Sequence, residues 1–448
     1  MTKQVQNILI AIIVGSVIFI LSKSFFDDTQ SRLLGLIFFL VTLWSNEALP
    51  LGVVSLLPIV LFPVFGLLNT KDTALNYANP IIFLFLGGFL LAIAVEKTRL
   101  HIYIADKILN FFPATPRGVI FSLATTSALL SSILSNTTTT LLLVSIAIFL
   151  TENIKLKMRF TLAIAYGASV GGILTPIGTP PNLILLGLMQ EKSMEIIPFF
   201  KWIWMVSPLV VMMILSVGSL LSLGVKNVEI TRVPQLIPLT KIQKKVLSVL
   251  AILVILLLVN SPIQPYWNGL GLSESSVLLS FGLLLFMPPF SILEWKKDTY
   301  KVPYEIMFLF GAGFSIAKAF AAVGLADATA SYLLAMTNLS PILLLLSVAT
   351  LVTFTTEITS NTALTAIILP VIYAISEQSG INTTLFMMVA TLCASYAFML
   401  PIATGPNAIA MSSGAVNVVD MLRYGIVLNI LGIFFIVMLA EYLFKIAL

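Results

Sequence analysis

Charge is what this sequence has least of. Its 448 residues include 24 Lys and Arg, 19 Asp and Glu and one His, so 10% of the chain is charged against 59% hydrophobic. Soluble domains carry about 25% charged residues, and a mean hydropathy of +1.07 places lipid rather than water around most of the chain. Cysteine is nearly absent too, and the single Cys393 excludes an internal disulfide framework. With one histidine, His101, a His/Cys zinc site is not expected either. That leaves little for nucleophilic or metal-dependent chemistry, so the expectation is a protein that is not an enzyme and needs no organic cofactor. The net charge of +5 calls for no nucleic acid partner, because the basic residues are confined to short loops between apolar runs.

What is present in abundance is apolar sequence of membrane length. Runs such as Leu51 to Leu68, Met205 to Leu223 and Tyr424 to Ala440 are long enough to cross a hydrocarbon core of about 30 Å. Residues 8–22 are followed by Lys23-Ser24-Phe25-Phe26-Asp27 rather than by a small-residue cleavage site, which predicts a retained first transmembrane helix. Expected spans are 7–22, 33–48, 51–68, 79–95, 159–188 (interrupted), 204–224, 245–260, 273–290, 303–321, 384–410 (interrupted) and 424–446, with a short amphipathic stretch at 98–112.

Two pairs of apolar pieces, 118–134 with 138–150 and 340–358 with 363–376, flank the same tripeptide. It occurs as Ser135-Asn136-Thr137 and again as Ser360-Asn361-Thr362, 225 positions later. The same offset carries Thr179-Pro180-Pro181-Asn182 onto Thr404-Gly405-Pro406-Asn407, Pro176-Ile177 onto Pro401-Ile402 and Gly88-Phe89 onto Gly313-Phe314. One offset across so much of the chain marks a duplicated unit. The piece 138–150 is too short to span, and a polar turn exposed to lipid would leave its backbone groups unpaired. Two re-entrant hairpins with the tripeptides at their tips satisfy both constraints, and eleven full spans remain.

Orientation follows from the cationic loops. Lys97, Arg99, Lys107 and Arg117 precede the first hairpin and Lys155, Lys157 and Arg159 follow it, so its ends are expected inside. The second is flanked by Asp327 and Glu377, with no basic residue between Lys318 and Arg423, and is expected to open outside. Lys226, Arg232, Lys241, Lys244, Lys245, Lys296, Lys297 and Lys301 mark further inner loops, and 261–272 has no cation. The N-terminus then lies inside and the C-terminus outside a cytoplasmic membrane, and the two copies have opposite topology, as inverted-repeat secondary transporters do.

The second duplicated motif sits in mid-span. Thr175-Pro-Ile-Gly-Thr-Pro-Pro-Asn182 and Leu400-Pro-Ile-Ala-Thr-Gly-Pro-Asn407 combine residues that break helices. Unwound carbonyls and helix C-termini suit a hard cation, helix N-termini suit an anion, and Ser, Thr and Asn serve either. Each break is expected to meet the hairpin tip of its own repeat near the midplane. Glu357, whose repeat mate is Ser132, is expected to cap or orient the second hairpin; His101 is expected at the surface and Lys318 to snorkel to an interface.

Taken together, the two Ser-Asn-Thr tips and the two breaks resemble the divalent-anion:sodium symporter family of dicarboxylate transporters. The resemblance spans essentially the whole chain and is strongest over 80–415. It implies carboxylate binding at Ser135, Asn136, Thr137, Ser360, Asn361 and Thr362, with Thr179 and Thr404 lining the substrate pocket. It implies one Na⁺ site at Ser131, Ser135, Asn136 and Gly178 and a second at Thr356, Thr359, Asn361 and Ala403. It further implies a homodimer in membrane lipid working as an elevator. Residues 1–112 and 225–339 would form the scaffold, and 113–224 and 340–448 the two repeats of the transport domain. The chain departs from the sodium-coupled pattern at Thr359, where alanine is usual, and at Gly405, where proline is usual; its Thr-Gly-Pro is more like relatives that exchange one anion for another.

The expectation is therefore an all-α polytopic membrane protein moving succinate, malate, fumarate or 2-oxoglutarate, by Na⁺ symport or by exchange. A cation/proton antiporter or metalloid exporter would instead need an intramembrane acid that titrates, for which Glu357 is the candidate near a tip.

Overall fold

The computed structural model describes residues 2–46, 48–148, 150–225, 238–262, 266–325, 328, 340–379 and 381–447. Lys226, Arg232 and Asp327, used above for orientation, lie outside the described residues. Among the described residues the secondary structure is helical throughout. The first part comprises α1 (Lys3–Ser22), α2 (Asp28–Ser45), α3 (Leu51–Val64), α4 (Thr70–Leu75), α5 (Pro80–Lys97) and α6 (Leu100–Phe111). Next come α7 (Pro116–Ser131), α8 (Asn136–Ala147), α9 (Ile154–Gly172), α10 (Pro180–Glu191) and α11 (Phe199–Ser222). They are followed by α12 (Lys241–Asn260), α13 (Glu274–Leu284), α14 (Trp295–Asp298) and α15 (Tyr304–Ala322). The last part holds α16 (Pro341–Thr356), α17 (Asn361–Ser379), α18 (Thr383–Ser395), α19 (Gly405–Ser412) and α20 (Val418–Leu439).

Helix starts follow the local chemistry. Asp27 and Gln30 close a capping box on α2, and Thr240 and Gln243 close one on α12. Thr115 caps α7, whose first residue is Pro116, a proline placed where its missing N–H has no intrahelical role. Two expected spans are shorter than the sequence suggests: 51–68 is helical only over Leu51–Val64, and 273–290 only over Glu274–Leu284. Pro288 and Pro289 follow, and proline both withholds a donor and disfavours helical backbone in the residue before it.

Six helical stretches among the described residues are long and apolar enough to cross a membrane: Lys3–Ser22, Thr70–Lys97, Phe199–Ser222, Lys241–Asn260, Tyr304–Ala322 and Val418–Ala447. Within α1 only 17% of the apolar window is buried inside the protein, and within α12 22%, so most of their side chains are left to lipid.

Two buried apolar cores organise the packing. One joins α1, α2, α3 and α15 through residues such as Leu33, Leu40, Phe62 and Ile316. The other runs from α5 through α20 and includes Phe160, Tyr166, Trp202, Phe310 and Phe398. The helix pair α7/α8, joined through 132–135, and the pair α16/α17, joined through 357–360, are the two hairpins. The first packs on α9, and the second packs on α18. A Cβ on Gly171 would lie 2.0 Å from the Ala128 carbonyl, so α7 and α9 touch backbone to backbone only because that position is glycine.

Each of α9 and α18 ends at an unwound segment, 173–179 and 396–404, beyond which a shorter helix resumes. The resumed helices cross over: α10 packs on α17 of the second hairpin, and α19 on α8 of the first hairpin and on α9. This exchange brings the four motifs together.

Candidate functional site

The two tips and two breaks line a single cavity of about 500 Å³. Ser135, Asn136, Thr137, Thr179, Ser360, Asn361, Thr362 and Thr404, the eight residues assigned above to substrate, all face it. Four helices begin at its wall, with Asn136, Pro180, Asn361 and Gly405 as their first residues. Their N-terminal dipole ends converge on a space whose described lining contains no Lys, Arg, Asp or Glu. The other face of the cavity comes from Leu51, Phe85, Gly88, Phe89, Ile306 and Leu309. These apolar residues were not singled out, although Gly88-Phe89 belongs to the duplicated pattern; their mates Gly313 and Phe314 do not line it.

The tips are held by matched bonds. Ser131 Oγ donates to Asn136 Oδ1 at 2.5 Å, and Thr356 Oγ1, its mate, lies 2.9 Å from both Asn361 Oδ1 and the Ala394 carbonyl. In each repeat a hydroxyl five residues back fixes which way the carboxamide faces. Behind Asn136 sits Gly172, where a Cβ would come within 2.5 Å of Oδ1; the mate of Gly172 is Ala397. Ser135 Oγ caps α8, accepting from Thr138 N at 3.1 Å and lying 2.7 Å from Thr138 Oγ1.

The breaks match less completely. Thr179 and Thr404 have the same extended backbone, φ −144° and −142°. Thr404 Oγ1 accepts from Asn407 N at 3.3 Å, whereas Thr179 makes no capping bond. Gly405 lies under the first tip, and a Cβ there would meet Thr137 Oγ1 at 2.3 Å.

Of the cation-site residues, Ser135, Asn136, Gly178, Asn361 and Ala403 line the cavity, and Ser131 and Thr356 stand behind the carboxamides. Thr359 does not join them: its hydroxyl donates to Thr355 O at 2.9 Å within its own helix end. The oxygens that remain, from hydroxyls, carboxamides and unwound carbonyls, are the hard donors that suit Na⁺.

A second, wider space of about 890 Å³ adjoins the first and shares Leu51, Ser360, Ala403, Thr404 and Gly405 with it. It opens past Lys3, Asn7 and Asn46 toward the beginning of α1, and Glu305 is on its wall. Asn7 Nδ2 donates to Asn46 O and Asn46 Nδ2 to Asn7 O, at 3.0 and 2.9 Å, tying α1 to the connection between α2 and α3.

Glu357 lines neither cavity. Its carboxylate accepts from Phe398 N at 2.8 Å, Met399 N at 3.0 Å, Leu400 N at 3.0 Å and Asn429 Nδ2 at 2.6 Å. It fastens the end of α16 to the second break, the orienting role expected of it. The corresponding tie in the first repeat is neutral, Thr175 Oγ1 donating to Ser132 O at 2.5 Å. Lys318 is about one-third exposed and lies 3.6 Å from Asp72 Oδ1. His101 is a correction: it is buried, 3% exposed, with Nδ1 3.3 Å from Val95 O. Arg99 takes a left-handed conformation that folds the chain back after α5, which places the first turn of α6 inward.

Comparisons with known proteins give the family. The family model described as citrate transporter (CitMHS) matches residues 37–389. The chain belongs to this family. It is 30% identical to the sodium-dependent dicarboxylate transporter SdcS of Staphylococcus saprophyticus, across 97% of this chain and 91% of that protein. The SdcS of Staphylococcus aureus is likewise 30% identical, across 98% of this chain and 92% of the relative. The resemblance to the divalent-anion:sodium symporters is thus borne out, and the protein is a multi-pass membrane transporter. In fold it is similar to the YdaH transporter of Alcanivorax borkumensis, with a TM-score of 0.60 at 15% identity, covering 83% of this chain and 87% of that one. MtrF of Neisseria gonorrhoeae, described among antimetabolite efflux pumps, gives 0.57 at 13% identity over 83% and 82%.

Proposed function

We propose that this protein is a secondary transporter of small dicarboxylates, such as succinate, malate, fumarate and 2-oxoglutarate, coupled to Na⁺. The observation that carries the reading is the convergence of four helix N-termini and two Ser-Asn-Thr tips on one cavity free of charged side chains. Such termini and neutral donors recognise carboxylate oxygens, and the cavity volume is in the range of small-molecule sites. The two tips, each with the resumed helix of the opposite repeat packed beside it, grip the substrate between them.

Burying a dianion in this setting without a counter-charge would be very costly. Na⁺ at the Ser131–Asn136 half-site and at its mate, Thr356–Asn361, supplies that charge. Both staphylococcal relatives are described as sodium-dependent, which supports symport. Exchange is the second reading, favoured by Gly405, which stands where the sodium-coupled pattern has proline and makes the Thr-Gly-Pro of relatives that exchange anions. Glu357 is unsuited to carry a proton through the site, since it faces neither cavity and its oxygens are taken by four donors.

In this proposal the hairpins are re-entrant, the two repeats lie in opposite orientations and eleven spans cross the bilayer, with the N-terminus inside. The hairpins with α9 to α11 and α18 to α20 move as the transport domain of an elevator against a dimeric scaffold. The wider space beside Lys3 is then the route to the cytoplasm. Labelled succinate uptake into proteoliposomes tests the coupling: an inward Na⁺ gradient should raise it at least tenfold. Uptake indifferent to Na⁺ but dependent on internal dicarboxylate would replace symport with exchange.

A further inference from the structure

We infer that Asn182 and Asn407 are positioning residues that hold the two helix breaks in their binding shape before any ligand arrives. Each is the third residue of the resumed helix and is completely buried. Asn182 Nδ2 donates back to Gly172 O at 3.3 Å and to Thr175 O at 2.9 Å. Asn407 Nδ2 donates to Ala397 O at 3.0 Å and to Leu400 O at 3.0 Å. The acceptors correspond residue for residue at the repeat offset. Two carbonyl acceptors around one terminal atom assign that atom as the amide nitrogen.

The remaining Oδ1 of each carboxamide is buried and takes no hydrogen bond from the protein. An aliphatic side chain of similar size would carry no such oxygen, so the donors are what these positions use. In the first repeat a carbonyl at the end of α9 and one inside the loop, and in the second two carbonyls inside the loop, are pinned to the start of the resumed helix. That closes the loop containing Gly178 in one repeat and Ala403 in the other, both on the cavity wall. A loop already fixed needs no ordering by the ligand, and the saving appears as affinity.

The inference rests on the proposed dicarboxylate transport, and two measurements keep the two separable. Hydrogen–deuterium exchange of the ligand-free protein should rise over 173–179 in Asn182→Ala and over 396–404 in Asn407→Ala, each in its own repeat; unchanged exchange overturns the inference whatever the substrate is. In proteoliposomes each variant should raise the half-saturating succinate concentration about tenfold while the maximal rate stays within about twofold. Asn182→Asp and Asn407→Asp, the same size but with no amide donors, should do more damage than alanine. A wild-type half-saturation, or a fall in maximal rate alone, also overturns it. If the alanine variants are not recovered from membranes, Asn182→Ser and Asn407→Ser, each keeping one donor, carry both measurements. A wild-type protein that takes up no dicarboxylate defeats the proposed function and leaves the exchange measurement to decide the clamp.

Discussion

Thr179 and Thr404 show how one residue type divides its labour between mirrored places. The Thr404 hydroxyl is engaged as the cap of α19, while the Thr179 hydroxyl makes no capping bond on the cavity wall. Thr404→Ala should therefore lower stability by about 1 kcal/mol, read as a lower unfolding temperature in detergent. Thr179→Ala should leave that temperature nearly unchanged and weaken substrate affinity. Gly405 makes a second residue-scale prediction. Gly405→Ala puts a methyl group against Thr137 Oγ1, so it should displace the first tip and reduce uptake severalfold. Removing the opposing bulk with Thr137→Ala in the same protein should restore stability without restoring affinity, because the tip hydroxyl is gone. Equal uptake by Gly405→Ala and wild type would contradict the packing described.

At the scale of elements, the break after α18 depends on a buried carboxylate. Three consecutive backbone N–H groups and Asn429 converge on Glu357. Glu357→Ala strands these donors in the interior, at a cost of about 1–3 kcal/mol for each group left unpaired. The expected outcome is a protein poorly recovered from membranes; a variant as stable as wild type would show that the tie is dispensable. The sequence made much of this architecture legible, because each motif was doubled. Proline and glycine in the middle of an apolar run announced the breaks at 173–179 and 396–404, and the polar tripeptide announced each tip. It did not disclose the crossover of α10 and α19 onto the opposite repeat, since packing partners leave no local signature. His101 was misplaced for a similar reason: a basic neighbourhood suggested a surface, but the turn at Arg99 directs the first turn of α6 inward. The hydroxyl of Thr359, which the family resemblance grouped with the second cation site, donates to the Thr355 carbonyl, a bond that no motif announces.

The whole molecule is proposed to be an inverted repeat, and chemical labelling can read its orientation. Cys393 is fully buried, so native thiol background is low. Glu152, beside the first hairpin, has a side chain 90% exposed, and Glu377, at the end of the second, is also exposed. Glu152→Cys should react with a membrane-impermeant maleimide only in inside-out vesicles, and Glu377→Cys only in right-side-out cells. Labelling of both from one side would rule out opposite orientations. The central claim, however, is that a dicarboxylate rests between the two tips where four helix N-termini meet. Equilibrium binding of labelled succinate to the purified protein, measured for wild type, Asn136→Ala and Asn361→Ala, tests it most directly. Saturable, Na⁺-dependent binding to wild type that weakens at least tenfold in each variant is the predicted result; wild-type affinity in both variants would contradict it.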